Sequence, residues 1–183
     1  YSGAVDAVLS LPASINGIPV VAIGEGAFMG YDSLTGSVVI PASVKRIGES
    51  AFFGACSGVT ELHIPASCTS IGSKAFYGCA SLTNLVISGE NVTIGSQAFA
   101  NGAFESTMDI LFENSVSSID ATAFEAVTAT VHYPENMSGW DTAAGQNYGG
   151  NLTWEAYTQG GEECAHDYAE VAECGGGVQG AEE

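Results

Sequence analysis

The sequence predicts a repeat solenoid, built mainly from short parallel β-strands joined by turns and short helical or 3-10 turns. One motif of eight or nine residues recurs along the chain, as "IGEGAFMG", "IGESAFFGA", "IGSKAFYGC", "IGSQAFANG" and, less closely, "IDATAFEAV". An apolar pair spaced two residues apart precedes these copies at a nearly fixed distance. A recurrence of roughly 20–50 residues is typical of chains that bury their apolar columns by stacking one coil on the next.

The copies define two apolar columns and a set of strands. The phenylalanine and isoleucine columns are Phe28, Phe52, Phe76, Phe99 and Phe124, and Ile23, Ile47, Ile71, Ile94 and Ile119. An i, i+2 apolar spacing indicates a short strand with one buried face. We therefore predict six strand registers, at residues 9–11, 38–40, 62–64, 85–87, 110–112 and 131–133.

The residues between the columns predict the corners of each coil. Pro12, Pro41, Pro65 and Pro134 each follow the last apolar residue of a strand, where the missing N–H costs the ladder least. Glycine at positions 24, 48, 72 and 95 is expected to permit a sharp turn. The Ala-Phe pair then suits a helical or 3-10 turn, with alanine allowing close approach and phenylalanine filling the coil.

The repeated text resembles a known family. The stretch "LHIPASCTSIGSKAFYGC" is similar to the BspA-type leucine-rich repeat of bacterial surface proteins, and the resemblance covers roughly residues 5–135. The opening "LPASINGIPVVAIGEGAF" resembles a variant coil with an inserted "NGIPV", which accounts for the longer first spacing. The resemblance implies a leucine-rich-repeat solenoid in an extracellular or cell-surface bacterial protein that adheres to host proteins or to other cells.

The domain organisation follows the period. Residues 1–133 are predicted to form the solenoid of about six coils, and residues 134–157 a C-terminal cap, because a solenoid end exposes its last apolar layer. Candidate capping side chains are Trp140, Tyr148, Leu152 and Trp154. Residues 158–183 are predicted to be an acidic Gly/Glu-rich tail or the start of a missing Cys/His module. Without an initiating methionine, we expect the sequence to be a segment of a longer protein.

The charge balance disfavours two classes of partner. The chain has 3 Lys and Arg residues against 21 Asp and Glu residues, a formal net charge of -18. Nucleic acids and anionic lipid surfaces are recognised largely through basic side chains, so neither is an expected partner. No apolar run reaches the ~18–20 residues of a membrane-spanning helix. We predict a monomer that does not insert into membranes.

The five cysteines leave two questions open. Cys56 and Cys79 follow the Ala-Phe pairs of adjacent coils, and either buried thiols or a disulfide between coils would suit them. Cys164, His166 and Cys174 could supply three zinc ligands, but a closed structural site needs four. We therefore predict neither a metal ion nor a cofactor.

No constellation of catalytic residues is present in the sequence. There is no G-x-S-x-G nucleophile elbow, no helix-borne histidine pair and no phosphate-cradling glycine loop. The carboxylates Glu61, Asp109 and Glu113 lie beside the strand columns, and a paired-acid carbohydrate-active enzyme would need two such groups. Acidic residues on a solvated strand face usually serve solubility, so this is the least favoured function. We predict that the protein is not an enzyme.

One row of residues suggests a binding surface. The outward position between each inward strand pair is occupied by Val39, His63, Val86, Leu111 and His132. Outward strand positions are usually polar, so the aliphatic members favour a surface that binds a protein partner, on the host or on another bacterial surface. Glu61, Asp109 and Glu113 would flank this row and steer cationic partners. The alternatives are a row covered by a neighbouring domain or molecule, and a passive spacer that presents another domain.

Overall fold

A seven-stranded parallel sheet forms one side of the molecule. A computed structural model of the chain describes residues 9–32, 34–101 and 107–159. The strands pair in the order in which they occur along the chain. They are β1 Leu9–Ser10, β5 Thr35–Val39, β7 Gly58–Ile64, β9 Asn84–Ile87, β11 Met108–Phe112, β13 Thr128–Pro134 and β14 Asn151–Tyr157. The six predicted strand registers coincide with the first six strands, except that Leu11 and Ile40 lie one residue beyond the ends of β1 and β5.

A second parallel sheet of five short strands carries the isoleucine column. Its strands are β4 Ala22–Ile23, β6 Arg46–Ile47, β8 Ser70–Ile71, β10 Val92–Ile94 and β12 Val116–Ile119. Each of the first five coils passes through the first sheet, a corner, the second sheet and the Ala-Phe segment before it returns to the first sheet. Because every crossover is one coil, the predicted solenoid of stacked parallel strands is confirmed.

The "NGIPV" insertion forms a hairpin. Strands β2 Ser14–Ile15 and β3 Ile18–Pro19 pair antiparallel around a two-residue loop. Asn16 and Gly17 have φ of 52° and 79°, which is the backbone that a tight hairpin turn of this length requires. Ser43 in the next coil donates a hydrogen bond to the carbonyl oxygen of Val20 at 2.8 Å, so the base of the hairpin is tied to the stack.

The core is a set of translated layers. The five phenylalanine rings stack face to face, with successive centroid separations of 4.8, 5.0, 5.4 and 5.4 Å. Most inward strand residues and isoleucines are almost fully buried beside them, as Leu62 and Ile71 show with exposures of 2% and 1%, whereas Ile119 and Tyr133 near the C-terminal end are half-buried. Each layer buries its apolar surface against an equivalent layer, so the stack is stabilised by contacts between neighbouring coils.

The Ala-Phe segments are turns, where the sequence predicted helical or 3-10 turns. In the segment around Phe52, the Phe53 N–H donates within the coil to the Ser50 carbonyl, whereas the Phe52 N–H donates to Ala75 of the next coil. Ser50 and Gly54 have positive φ, 52° and 65°. The positive φ at these residues directs every second N–H out of the coil, so the continuous series of backbone hydrogen bonds that a helix requires cannot form.

The recurrent glycine is explained by close approach between coils. A Cβ built on Gly72 would lie 2.6 Å from the Glu49 nitrogen and 2.7 Å from the Gly48 carbonyl carbon. Gly72 does not have positive φ, so the expectation that this glycine serves a sharp turn is wrong. Gly24 occupies the same position in the first coil, and a Cβ there would meet nothing within 4 Å.

Residues 134–157 form a last coil that ends the phenylalanine ladder. The Phe124 and Ala126 N–H groups donate to Tyr148 and Gly149, which are consecutive residues. In the coil before, the equivalent acceptors are Ala123 and Glu125, with Phe124 between them. The last coil therefore has no residue at the ladder position, and yet Phe124 is fully buried. Helix α1, Trp140–Ala143, lies beside β12 in place of a sixth strand of the second sheet.

An aromatic cluster covers the C-terminal end of the core. The Trp140 ring lies 4.8 Å from the Phe112 ring and 5.2 Å from the Tyr133 ring, and the Trp140 Nε1–H donates to the Asn114 carbonyl at 3.2 Å. Trp154 packs against Trp140 at 6.1 Å. Trp140 is only 3% exposed. From these contacts we propose that the solenoid ends at residue 133 and that residues 134–157 are its C-terminal cap. Within this cap, β14 adds a last strand to the seven-stranded sheet.

Replacing Gly72 by alanine should destabilise the protein by about 1–3 kcal/mol, because the added methyl group would press against backbone atoms of the preceding coil. The matched Gly24→Ala change adds the same methyl group at the open position, and its effect should stay within about 1 kcal/mol. Urea unfolding of both variants measures the difference. Equal effects would contradict the close-approach explanation.

Replacing Trp140 by alanine should cost about 3–5 kcal/mol of unfolding free energy, because a buried ring leaves a cavity over the last apolar layer. Trp154→Ala is the control, since this half-buried ring loses less contact. A cost for Trp140→Ala no larger than that for Trp154→Ala, measured by denaturant unfolding, would argue against the proposed cap.

Candidate binding face on the parallel sheet

The residues of the predicted row lie on five adjacent strands. The register pairs Val39 with His63, His63 with Val86, Val86 with Leu111, and Leu111 with His132. We call these five residues the central row. Each is on a different strand, so successive side chains are separated by the strand spacing of ~4.8 Å. The regular register of the coils therefore aligns five residues that lie 21–25 positions apart in the sequence.

The predicted acidic residues lie on both sides of the central row. Glu61 pairs with Asn84, and Asn84 pairs with Asp109, so the two carboxylates lie on one side with a single strand between them. Glu113 follows β11 on the other side, and its N–H donates to the Ile87 carbonyl at 3.0 Å. Leu111 thus has outward carboxylates two residues before it and two residues after it.

Exposure differs along the central row. Val39 is 44% exposed, whereas Val86 and Leu111 are half-buried and His132 is buried. His63 is also exposed, so exposure decreases along the row from β5 and β7 to β13. Outward side chains on adjacent parallel strands are close enough to shield one another. The aliphatic part of the row is therefore a partly shielded ridge with an exposed end at Val39.

Both histidines of the central row contact neighbouring residues. The His63 Nε2 lies 2.9 Å from the Ser88 Oγ, and Asn114 Nδ2 donates to the Ser88 carbonyl at 2.9 Å. The His132 Nδ1 lies 3.5 Å from the Glu155 Oε2. These contacts connect β7 to the end of β9 and β13 to β14, so the row is held by side chains as well as by the backbone ladder.

The comparisons with known proteins identify the array. The family profile described as BspA type leucine rich repeat region matches in six copies over residues 15–144. The chain belongs to the BspA-type leucine-rich repeat family. The crystal structure of a leucine-rich repeat protein from T. pallidum is similar at 18% identity, with a TM-score of 0.44, covering 82% of this chain and 86% of that chain. No curated protein matches the chain.

The BspA-type array carries one residue of this face that the sequence did not point to. Glu155 on β14 pairs with His132 and extends the central row by one strand. Glu155 was not predicted, because the repeat period ends at residue 134 and residues 134–157 were assigned to a cap instead of a further strand. The alternation of apolar and polar residues in "NLTWEAY" is the signal that could have found this strand.

Tyr157 connects the last strand to β11. Its hydroxyl donates to the Phe112 carbonyl at 2.9 Å, across β13. Burial raises the pKa of the Tyr157 phenol, a hydrogen bond with Gln159 lowers it by less, and the nearby charge of Glu113 adds to the increase. The phenol is therefore kept protonated, which is the form that donates this bond.

The charges of the BspA-type array are segregated. Arg46 lies on β6 in the second sheet, Lys45 precedes it, and Lys74 lies in an Ala-Phe turn, and these are all the Lys and Arg residues of the chain. The seven-stranded sheet therefore contains no Lys or Arg. Its outward face has Glu61, Asp109 and Glu155, with Glu113 at its border, so the electrostatic potential of this face favours cations.

The described residues show no metal centre. Within 9–32, 34–101 and 107–159, no three His, Cys, Asp or Glu side chains are grouped to hold an ion. His63 and His132 lie three strands apart. Cys164, His166 and Cys174 are outside the described residues. Across the described ranges, no helix is long and apolar enough to cross a membrane.

Two further surface features were not predicted from the sequence. Ile15 and Ile18 of the hairpin are 60% and 71% exposed, because the insertion projects away from the stack. A cavity of about 410 Å³ opens beside α1, with the exposed carboxylates of Glu135 and Asp141 at its edge. Its lining consists of Tyr133, Glu135, Met137, Ser138, Gly139, Trp140 and Asp141.

The raised pKa of Tyr157 predicts a loss of stability in alkali. The folded-state pKa lies above the unfolded value, so the contribution of the phenol is complete below about pH 10 and is lost as the pH rises further. Unfolding free energy measured between about pH 9 and 11 should decrease, and Tyr157→Phe should reduce that slope. The exposed Tyr31→Phe variant should keep the slope of the unmodified chain. An unchanged slope in Tyr157→Phe would refute the assignment.

Proposed function

We propose that this BspA-type array is a non-enzymatic binding module that takes a protein partner on the outward face of the seven-stranded sheet. The observation that carries the proposal is the central row, in which Val39, Val86 and Leu111 are aligned in register on a face without Lys or Arg. Repeat proteins present such continuous faces because each coil contributes one position to each row.

The surroundings of Leu111 define the chemistry of the partner. Asp109 and Glu113 lie on either side of this half-buried aliphatic side chain, and Glu155 lies two strands away. An apolar residue between Lys or Arg residues would complement this arrangement. The net charge of -18 would increase the association rate of a cationic partner and would repel an anionic one.

The setting that we propose is the outside of a bacterial cell. Proteins of the BspA-type family are typically associated with bacterial surfaces, which supports an extracellular or cell-surface adhesion module acting on a host protein or on another bacterial surface protein. The scarcity of Lys and Arg argues against nucleic acid and anionic lipid as partners. We propose that the module acts as a monomer without a cofactor.

The alternative is a passive spacer. Seven strands at ~4.8 Å spacing give a regular stack roughly 29 Å long, which could hold another domain away from the cell envelope. The spacer requires no ligand on the central row. Catalysis is not proposed, because Glu61 and Asp109 lie on an exposed sheet face. The two carboxylates of a glycosidase flank the scissile bond of the sugar, which is expected to require a cleft.

A peptide library tests the binding face. Peptides selected on the unmodified protein should be enriched in Lys or Arg next to apolar residues, and Val86→Glu together with Leu111→Glu should weaken their binding at least tenfold. The expected loss follows from placing two charges in the centre of the apolar row. Affinities are measured by titration at about 50 and 200 mM salt, and binding should weaken as salt increases.

The control places the same two charges elsewhere. Thr93→Glu with Ser118→Glu adds two carboxylates on exposed positions of the second sheet, and this variant should retain binding. Thermal unfolding of both double variants shows whether each is folded. Selected peptides that lose affinity for the second-sheet variant instead would move the site away from the central row. A library that yields no binders would favour the spacer.

A further inference from the structure

Cys56 and Cys79 occupy equivalent positions on adjacent coils. Leu62 and Leu85 are paired in register on β7 and β9, and each cysteine lies six residues before its leucine (62 − 56 and 85 − 79). The Phe52 and Phe76 rings of the same two coils lie 5.0 Å apart. Coils at this separation place equivalent Cα atoms within the 4.4–6.8 Å that a disulfide spans.

The two thiols contact each other in the interior. Cys56 and Cys79 are free thiols, 1% and 2% exposed. A hydrogen bond between the two side chains, followed by burial, raises the pKa of Cys79 well above its ordinary value. The two side chains are thus adjacent in the apolar interior, and the Cys79 thiol is kept in its neutral form.

Cys68 shows that this contact is not a general property of cysteine in the array. Its thiol donates to the Ser70 carbonyl at 3.6 Å. The equivalent positions of the neighbouring coils, 24 residues before and 24 residues after, are Val44 and Val92 (68 − 24 and 68 + 24). Cys68 therefore replaces an aliphatic residue, whereas Cys56 and Cys79 have each other as neighbours.

We propose that Cys56 and Cys79 are a redox-active dithiol that closes to a disulfide between adjacent coils. The two thiols lose two protons and two electrons and form one S–S bond. A disulfide oxidant, either glutathione disulfide or the disulfide of a thiol oxidoreductase, accepts the two electrons and is released as two thiols. The structure described above is the reduced form.

The order of the steps follows from burial. One thiolate attacks the oxidant to give a mixed disulfide, and the second cysteine displaces the oxidant's remaining thiol. Both thiols are inaccessible in the stacked array, so the first attack takes place before coil stacking is complete or when these coils open locally. Once closed, the bond joins two coils whose mutual contacts stabilise the stack.

The bond should stabilise the array. It closes a loop of 23 residues (79 − 56), which removes conformational entropy from the unfolded chain. For a chain of this size we expect the oxidised form to melt about 5–10 °C above the reduced form. The loop lies wholly within the solenoid, so the increase does not depend on the proposed binding function.

The test uses the full chain with Cys164→Ser and Cys174→Ser, which leaves Cys56, Cys68 and Cys79. The protein is refolded in a glutathione disulfide buffer and is then labelled with a maleimide under denaturing conditions. Before labelling, the oxidised protein should have an intact mass about 2 Da below the reduced form, and after labelling it should carry one maleimide. Its melting temperature should fall by about 5–10 °C after treatment with dithiothreitol.

Two further variants assign the bond. Adding Cys68→Ser should remove the last label and preserve the melting shift, whereas adding Cys79→Ser should leave two labels and abolish the shift. Three labels after oxidation, glutathione adducts without loss of 2 Da, or an oxidised form that melts at or below the reduced form would each overturn the proposal. Every variant is compared with its own reduced sample, so a general loss of stability does not obscure the result.

Discussion

The structure depends on the bonding of each coil to the next through every second backbone N–H of the Ala-Phe segment. The Phe28, Phe52 and Phe76 N–H groups donate to Ala51, Ala75 and Ala98 at 2.7–2.8 Å, each in the following coil. These bonds fix the separation at which the phenylalanine rings stack, so backbone bonding and ring packing set the same translation. A coil cannot satisfy these donors alone, and the stability of the array therefore resides in the interfaces between coils.

Close approach at the recurrent glycine follows from that translation. The chain passes so near the preceding coil at Gly48, Gly72 and Gly95 that a Cβ would fall within 2.6–2.7 Å of a backbone nitrogen. The fifth coil has Asp120 there, and its carboxylate accepts bonds from the N–H and the hydroxyl of Thr122, which lower the pKa of Asp120. Thr122 lacks the positive φ that Ser50 has at the same position. The regular turn thus changes where the glycine is absent, in the coil that carries the last ring of the ladder.

The sequence predicted the parts of the fold that repeat. The six strand registers and the phenylalanine and isoleucine columns were readable because every coil repeats the same inward positions. The glycine's role was misassigned, because a clash with a neighbouring coil cannot be seen in the text of one coil. Strand β14 was not predicted, because "NLTWEAY" is not followed by an Ala-Phe motif, although its apolar and polar residues alternate as in a strand. For the candidate face, the alignment of Val86 with Leu111 followed from the period, whereas their partial burial depends on side chains of adjacent strands.

The inward positions are constrained by translation, and the outward positions are not. A residue such as Ile64 must match the layers on both sides, whereas Val86 between His63 and Leu111 needs only a β-strand backbone. Coil stacking therefore does not explain why the central row contains aliphatic residues, since polar side chains would fit the same outward positions. It also does not explain why the seven described strands carry acidic residues but no Lys or Arg, since a solubilising surface usually has charges of both signs. Both departures occur on the same face, and the proposed partner with apolar and cationic side chains would account for the two together.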